Sequence, residues 1–160
     1  VIFVTVGTHH QPFDRLLGAL AALDRSELVV QYGPAKPPPG VARAQAYMPF
    51  DSVVECLRDA DVVVTHAGVG SILCARREGH TPLVVPRRHD LGEHVDEHQA
   101  ELTRALEARG GVIAVWDVGD LAELVAAAAP RRAAGQAGEA PLCGDVRAAL
   151  RGEAAQASER

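Results

Sequence analysis

Asparagine is absent from the 160 residues, and lysine occurs once, at Lys36. Without asparagine the chain has no N-glycosylation acceptor. A single lysine inside a proline-rich stretch leaves no candidate for a P-loop or Schiff-base lysine. Cysteine is scarce as well. Cys56, Cys74 and Cys143 are odd in number and carry no C-x-x-C spacing, which argues against a disulfide framework or a cysteine-rich zinc site. No apolar run reaches the ~18 residues that a membrane span needs. The opening Val1-Ile2-Phe3-Val4 reads as a strand, with no charged leader and no cleavage site. The expectation is a soluble, cytoplasmic chain.

What is abundant is alanine and arginine, the surplus that GC-rich coding produces. The net charge is −5 with the seven histidines counted as neutral. That balance excludes the basic face a nucleic-acid partner would require. The length suits one domain, and a chain of this size buries roughly 70% of its unfolded surface on folding.

Short β-branched runs alternate with longer amphipathic stretches, the pattern of parallel βα units. Strands are expected at Val1–Val6, Leu28–Tyr32, Ala44–Tyr47, Val62–Thr65, Leu83–Val85 and Val112–Trp116. Helices are expected near Phe13–Leu23, Phe50–Arg58, Gly70–Glu78, Gly92–Ala108 and Asp120–Ala129. Asp51 and Asp120 stand where N-caps belong, and Gly79 and Gly110 where helices should stop. The fold class is α/β: a doubly wound, mostly parallel sheet with helices on both faces, Rossmann-like. Residues 1–129 form the ligand-binding domain. Residues 130–160 read as a linker, a short helix at Leu142–Leu150 and a frayed tail.

Open sheets of this kind bind ligands beyond the carboxyl ends of their strands. Histidine is concentrated there. His9, His10, His66 and His89 follow strands directly, and His94 and His98 lie in the last of those loops. The loop His66-Ala67-Gly68-Val69-Gly70-Ser71 enters a helix, so its amides and the helix dipole suit a phosphate, although Leu73 breaks a full G-x-G-x-x-G fingerprint. Gly7-Thr8 offers a second set of donors, and two such turns on one crevice suit a pyrophosphate. On a helix starting at Gly92, Val95, Leu102 and Leu106 would form the buried stripe, flanked by His98 and Gln99. Periodicity leaves ligand contact and core packing equally open for those two. Asp96 and Glu97 would point outward as solvated charges at the helix start.

Other constellations are weaker. His94 and His98 are four apart, but no H-E-x-x-H accompanies them and no second shell is apparent, so no metal is expected. Asp59-Ala60-Asp61 precedes a strand and so falls at the wrong edge of the sheet. Arg87, after a strand, has the charge to neutralise a diphosphate. Arg76-Arg77, Cys56, Cys74 and Trp116 read as surface or packing residues.

Three motifs in register, Val4–His9 with Gln11–Leu16, Thr65–Leu73 and Gly92–Gln99, resemble the C-terminal domain of glycosyltransferase family 28, above all the small subunits of its split, two-component members. The resemblance covers roughly residues 1–125. It implies the C-terminal lobe of a GT-B enzyme, which binds a UDP-sugar and inverts the anomeric centre with no metal. It further implies a separate membrane-associated subunit that presents a lipid-linked acceptor and recruits this chain to the inner face of the membrane. Lipid-linked oligosaccharide or exopolysaccharide synthesis would be the setting. Carried over by position, Gly7, Thr8 and His9 with His66, Ala67, Gly68, Val69, Gly70 and Ser71 would surround the diphosphate. Glu93, His94 and Gln99 would lie near the donor sugar. His9 and His94 are the candidates for the general base. Where many relatives place a ribose-binding glutamate, this chain has Cys74. The alternatives are a non-catalytic nucleotide-sugar-binding or scaffold protein and a stand-alone epimerase or hydrolase, for which the chain is short.

Overall fold

The structure, a computed structural model, describes residues 1–133. Six strands form one fully parallel sheet in the order β3-β2-β1-β4-β5-β6, the doubly wound arrangement expected. They are β1 (Ile2–Thr5), β2 (Leu28–Gln31), β3 (Arg43–Gln45), β4 (Val62–His66), β5 (Leu83–Val85) and β6 (Ile113–Ala114). Five helices connect or follow them: α1 (Asp14–Ala19), α2 (Phe50–Asp59), α3 (Val69–Arg77), α4 (His98–Ala108) and α5 (Leu121–Ala133). The strand order reverses between β1 and β4, so the loops after those two strands splay apart and leave a crevice.

Solid apolar runs give strands buried on both faces, because successive side chains point to opposite sides. Val4, Val62, Val64, Leu83 and Val85 pack with Leu16 of α1, Leu20 of the 3-10 turn that follows it, and Leu121 and Val125 of α5. Their neighbours Phe3, Val63 and Val84 face the other way. Phe3 and Val63 meet Leu57 of α2 and Ala75 of α3, and Val84 meets Ile72, Leu102 and Leu106. Helices α3 and α4 stop as their glycines require. Gly79 and Gly110 have φ of 86° and 68°. The amides one residue further on reach back to Ala75 O and Leu106 O, closing Schellman turns.

Several boundaries differ from the sequence expectation. The helix expected from Gly92 begins only at His98. A single 3-10 turn, His89–Leu91, ends at Gly92 in the left-handed region, and the Glu93 side chain is drawn back to the backbone of Arg88. Val95, assigned to the buried stripe, is therefore 64% exposed. Asp51 is not an N-cap, since Pro49 holds that position and Asp51 falls inside the first turn. Nor is Asp120. Ahead of α5, Asp117 caps a 3-10 turn, Val118–Asp120, through the Gly119 amide. Strand β6 is confined to two residues. Helix α5 continues through Pro130 to Ala133, past the expected start of the linker. The short helix at 142–150 and the tail lie outside the described residues.

The late start of α4 has an energetic signature. Leu106→Ala removes a side chain that is 1% exposed and should cost about 2–5 kcal/mol in urea denaturation. Val95→Ala should stay within about 0.5 kcal/mol; a helix from Gly92 would make the two losses comparable.

Candidate functional site

All the loops singled out from sequence emerge at the carboxyl edge of the sheet, and one buried cation ties two of them together. Arg87, just after β5, is fully buried. Its guanidinium donates to Val6 O at 2.9 Å, Gln11 O at 2.9 Å and Glu93 O at 3.2 Å. It also lies over the Phe13 ring, 4.6 Å from the centroid. Burial lowers its pKa to about 10, which leaves it charged at neutral pH. The arginine expected to neutralise a diphosphate directly is thus committed to backbone carbonyls, and its charge reaches the surface as a field. Gln99 is tied into the same knot, its Oε1 accepting from the Arg87 amide at 3.0 Å.

Glu93 is also occupied. Arg15, near the start of α1, grips its two carboxylate oxygens at 2.9 Å each and donates to Pro86 O. Arg15 was missed in the sequence. The signal available was a cation in the first turn of a helix, opposing the dipole, which is unfavourable unless a carboxylate waits nearby. Asp96, read as a solvated charge, instead accepts from the His98 amide and meets the imidazoles of His94 and His98. The His98 side chain is exposed.

The histidines fall into two settings. The His66 ring, at the end of β4, lies buried between the two glycine turns. A Cβ on either Gly7 or Gly68 would overlap it. Gly7 also has φ of 75°, whereas Gly68 has an ordinary backbone, so its need for glycine is purely steric. Burial, reinforced by Arg87, His9 and His94, drives the His66 pKa down to about 3, and the ring is neutral. His9 stands nearer the surface, stacked on His10 at 4.5 Å and 5.0 Å from His94. Partial burial, then Arg87 and its two histidine neighbours, lower its pKa too.

Beside this edge a cavity of about 430 Å³ opens between the sheet and helices α2 and α3. Gly7, Thr8, His66, Gly68, Gly70 and Ser71 form its polar side. Phe3, Met48, Val53, Leu57 and Val63 form an apolar wall, and Cys74 is part of the lining. Thr5 of β1 and Gln31 of β2 also reach it, joined by a 2.7 Å hydrogen bond. Neither they nor Met48 carried a sequence signal, since each looks like ordinary strand or loop composition. Gly70, inside the first turn of α3, faces open space. Ala67 is buried and Val69 exposed. Arg87, Glu93, His94, His98 and Gln99 do not line the cavity; they build and surround its neighbouring edge. Among the described residues no group of histidine, cysteine, aspartate or glutamate is arranged to hold a metal ion.

Glycine turns and a cavity at the carboxyl ends of a doubly wound sheet define the class of α/β domains that take ligands at the topological switch point. Within that class the chain belongs to the family described as "Glycosyltransferase family 28 C-terminal domain", whose profile it matches over residues 1–139. It is 35% identical over 122 residues to the UDP-N-acetylglucosamine transferase subunit ALG13 of Mus musculus, covering 68% of this chain and 10% of that protein. The Homo sapiens counterpart is 32% identical over 123 residues, with the same coverage. The chain thus spans about a tenth of the length of these relatives. A solved structure, the glycotransferase of kitacinnamycin, shares the fold with a TM-score of 0.54 at 24% identity, over 94% of this chain and 39% of that one.

Two measurements check the His66 wedge. Gly68→Ala should destabilise by about 1–3 kcal/mol through overpacking, and His66→Ala in the same chain should recover part of that loss in a double-mutant cycle. The unfolded chain protonates His66 near pH 6.5 and the folded chain only near 3. Protons therefore favour unfolding across that window, and stability should fall with acid by up to about 1.4 kcal/mol per pH unit. His66→Gln should flatten this slope.

Proposed function

We propose that the chain is the donor-binding, catalytic subunit of an inverting UDP-sugar-dependent glycosyltransferase, completed by a separate membrane-associated subunit that presents a lipid-linked acceptor. The observation that carries this reading is the cavity flanked by two amide-rich turns, Gly7–Thr8 and Gly68–Ser71, with the start of α3 open at Gly70. A nucleoside would enter the half-apolar cavity. Its diphosphate would meet the backbone N–H groups and the positive end of the α3 dipole, which also stabilise the charge that develops as UDP departs. Arg87 adds a fixed positive field from beneath the loops. No metal is required for that stabilisation.

The reading of a second subunit is supported by exposed apolar side chains in the loops that follow the strands. Among the described residues, Tyr47, Phe50, Val69, Leu91 and Val95 are exposed large apolar side chains in the segments that follow β3, β4 and β5, and Phe50 also lines the cavity. Exposed apolar side chains in these loops fit contact with another protein surface. The curated relatives are themselves named as transferase subunits. No helix among the described residues is long and apolar enough to cross a membrane. On this reading the membrane contact, at the inner face, comes through the partner, and the product belongs to lipid-linked oligosaccharide or exopolysaccharide synthesis.

Calorimetry should show binding of UDP-N-acetylglucosamine, UDP-glucose or UDP-glucuronate and none of an adenine nucleotide. Gly70→Ala is the sharpest variant. It should leave stability unchanged or raise it by up to about 1 kcal/mol, because alanine is the better helix former. It should weaken the UDP-sugar by roughly tenfold or more, because the methyl group blocks close backbone approach. Mixing the protein with radiolabelled donor, membranes carrying the partner and a lipid acceptor tests turnover. Binding that persists without transfer in any pairing would favour a non-catalytic nucleotide-sugar-binding protein instead.

A further inference from the structure

His9 and His94 face each other across 5.0 Å with similar exposure to the crevice edge, yet the backbone and one carboxylate treat them oppositely. In His9 the Nδ1 atom accepts a hydrogen bond from the Gln11 amide at 3.2 Å. An accepting Nδ1 places the proton of the neutral ring on Nε2. Burial and the positive field of Arg87 keep that ring neutral. In His94 the Nδ1 atom stands 3.1 Å from Oδ1 of Asp96. A bare nitrogen lone pair facing a carboxylate oxygen at that distance would set two acceptors against each other, so the proton belongs on Nδ1. The Asp96 amide, 3.4 Å from the same nitrogen, offers only a longer and weaker alternative.

The carboxylate is held in place for this. Its Oδ1 accepts from the His98 amide at 3.0 Å and its Oδ2 lies 2.8 Å from Nδ1 of His98, so the side chain straps the start of α4 while it meets His94. On the other side, Nδ1 of His89 lies 3.0 Å from the His94 carbonyl and pins its backbone. His94 is therefore held at Nδ1 by Asp96 and at its backbone by His89, and among the described residues no hydrogen-bond partner meets its Nε2, which is left as a lone pair.

We propose that Asp96 is a positioning residue that sorts the two histidines into opposite tautomers, making His94 Nε2 the proton acceptor of the site and His9 Nε2–H a hydrogen-bond donor. This rests on the transferase reading above and deepens it. In the transfer step the acceptor hydroxyl gives its proton to His94 Nε2 while its oxygen forms the new bond to the anomeric carbon. The bond from that carbon to the diphosphate breaks, and UDP leaves with the electron pair. His9, holding a proton on Nε2 and no free lone pair on Nδ1, cannot take that proton in its resting tautomer. It can donate a hydrogen bond to a donor oxygen.

Long-range proton–nitrogen NMR spectra of the full chain read the tautomers without donor, acceptor or partner. The expected result is Nδ1–H for His94 and Nε2–H for His9. Asp96→Ala should return His94 to the ordinary Nε2–H form, and Asp96→Asn should do so in part. The His9 signals should stay unchanged in both, which reports that the loops have kept their path. In a mixture that transfers sugar, His94→Gln should lower kcat by about 10²–10⁴-fold with the donor KM unchanged. His9→Gln should act mainly on the donor KM. Nε2–H for His94 in the unaltered chain, or kcat retained within about threefold by His94→Gln, would overturn the proposal. Expected tautomers with no transfer in any mixture would overturn the transferase reading alone, because the sorting is measured independently of it.

Discussion

One buried guanidinium holds the working edge of this molecule together. Arg87 reaches from the end of β5 under the loop that follows β1 and back to its own loop at Glu93, donating only to main-chain carbonyls. Removing it would leave those carbonyls unsatisfied in the interior, a loss of several hydrogen bonds to a charged donor at once. Glu93 extends the same knot outward, joining Arg15 of α1 to the Arg88 amide. The Gly7–Thr8 turn and the histidine pair His9 and His94 then fall into place around it. The charge also biases its surroundings, since its field adds to burial in keeping His66 and His9 neutral.

Strands and topology were legible in the sequence because parallel strands covered on both faces leave an unambiguous record. Runs such as Val62-Val63-Val64 can be satisfied only by apolar neighbours on both sides, and the structure supplies them. The helix stops at Gly79 and Gly110 were legible for a similar reason, as only glycine takes the backbone the Schellman turn needs at no cost. The loop after β5 was not legible. Periodicity treats Gly92–Gln99 as a helix because its apolar and polar residues fall at helical intervals. The actual path is set by contacts distant in sequence, Arg15 with Glu93 and Arg87 with Gln99. No local pattern encodes those partners.

For the candidate site, the residues singled out from sequence do gather at one edge of the sheet, but they divide between the cavity lining and the framework beside it. Gly7, Gly68, Gly70, Thr8 and Ser71 do line the cavity. Arg87, Glu93 and Gln99, read as ligand contacts, are engaged with the protein itself. The difference is physical. A residue's type states what it can bond to, and only its burial states what it does bond to. Arg87 and Glu93 are buried, so their hydrogen-bonding capacity had to be spent within the fold. The apolar wall from Phe3, Met48 and Val63 escaped notice because hydrophobic residues lining a pocket and filling a core look alike in sequence.

The margins of the sheet carry a last consequence. Strand β3 contributes three residues to its ladder, two of them exposed, and β6 contributes only two. Short margins like these offer an incoming chain little main-chain ladder to extend, so strand addition, a common route by which sheet proteins recruit others or aggregate, is disfavoured among the described residues. A partner such as the one proposed above would instead have to meet side chains, and not exposed peptide groups. Recognition of that kind would depend on shape and on apolar fit, which sheet edges do not encode.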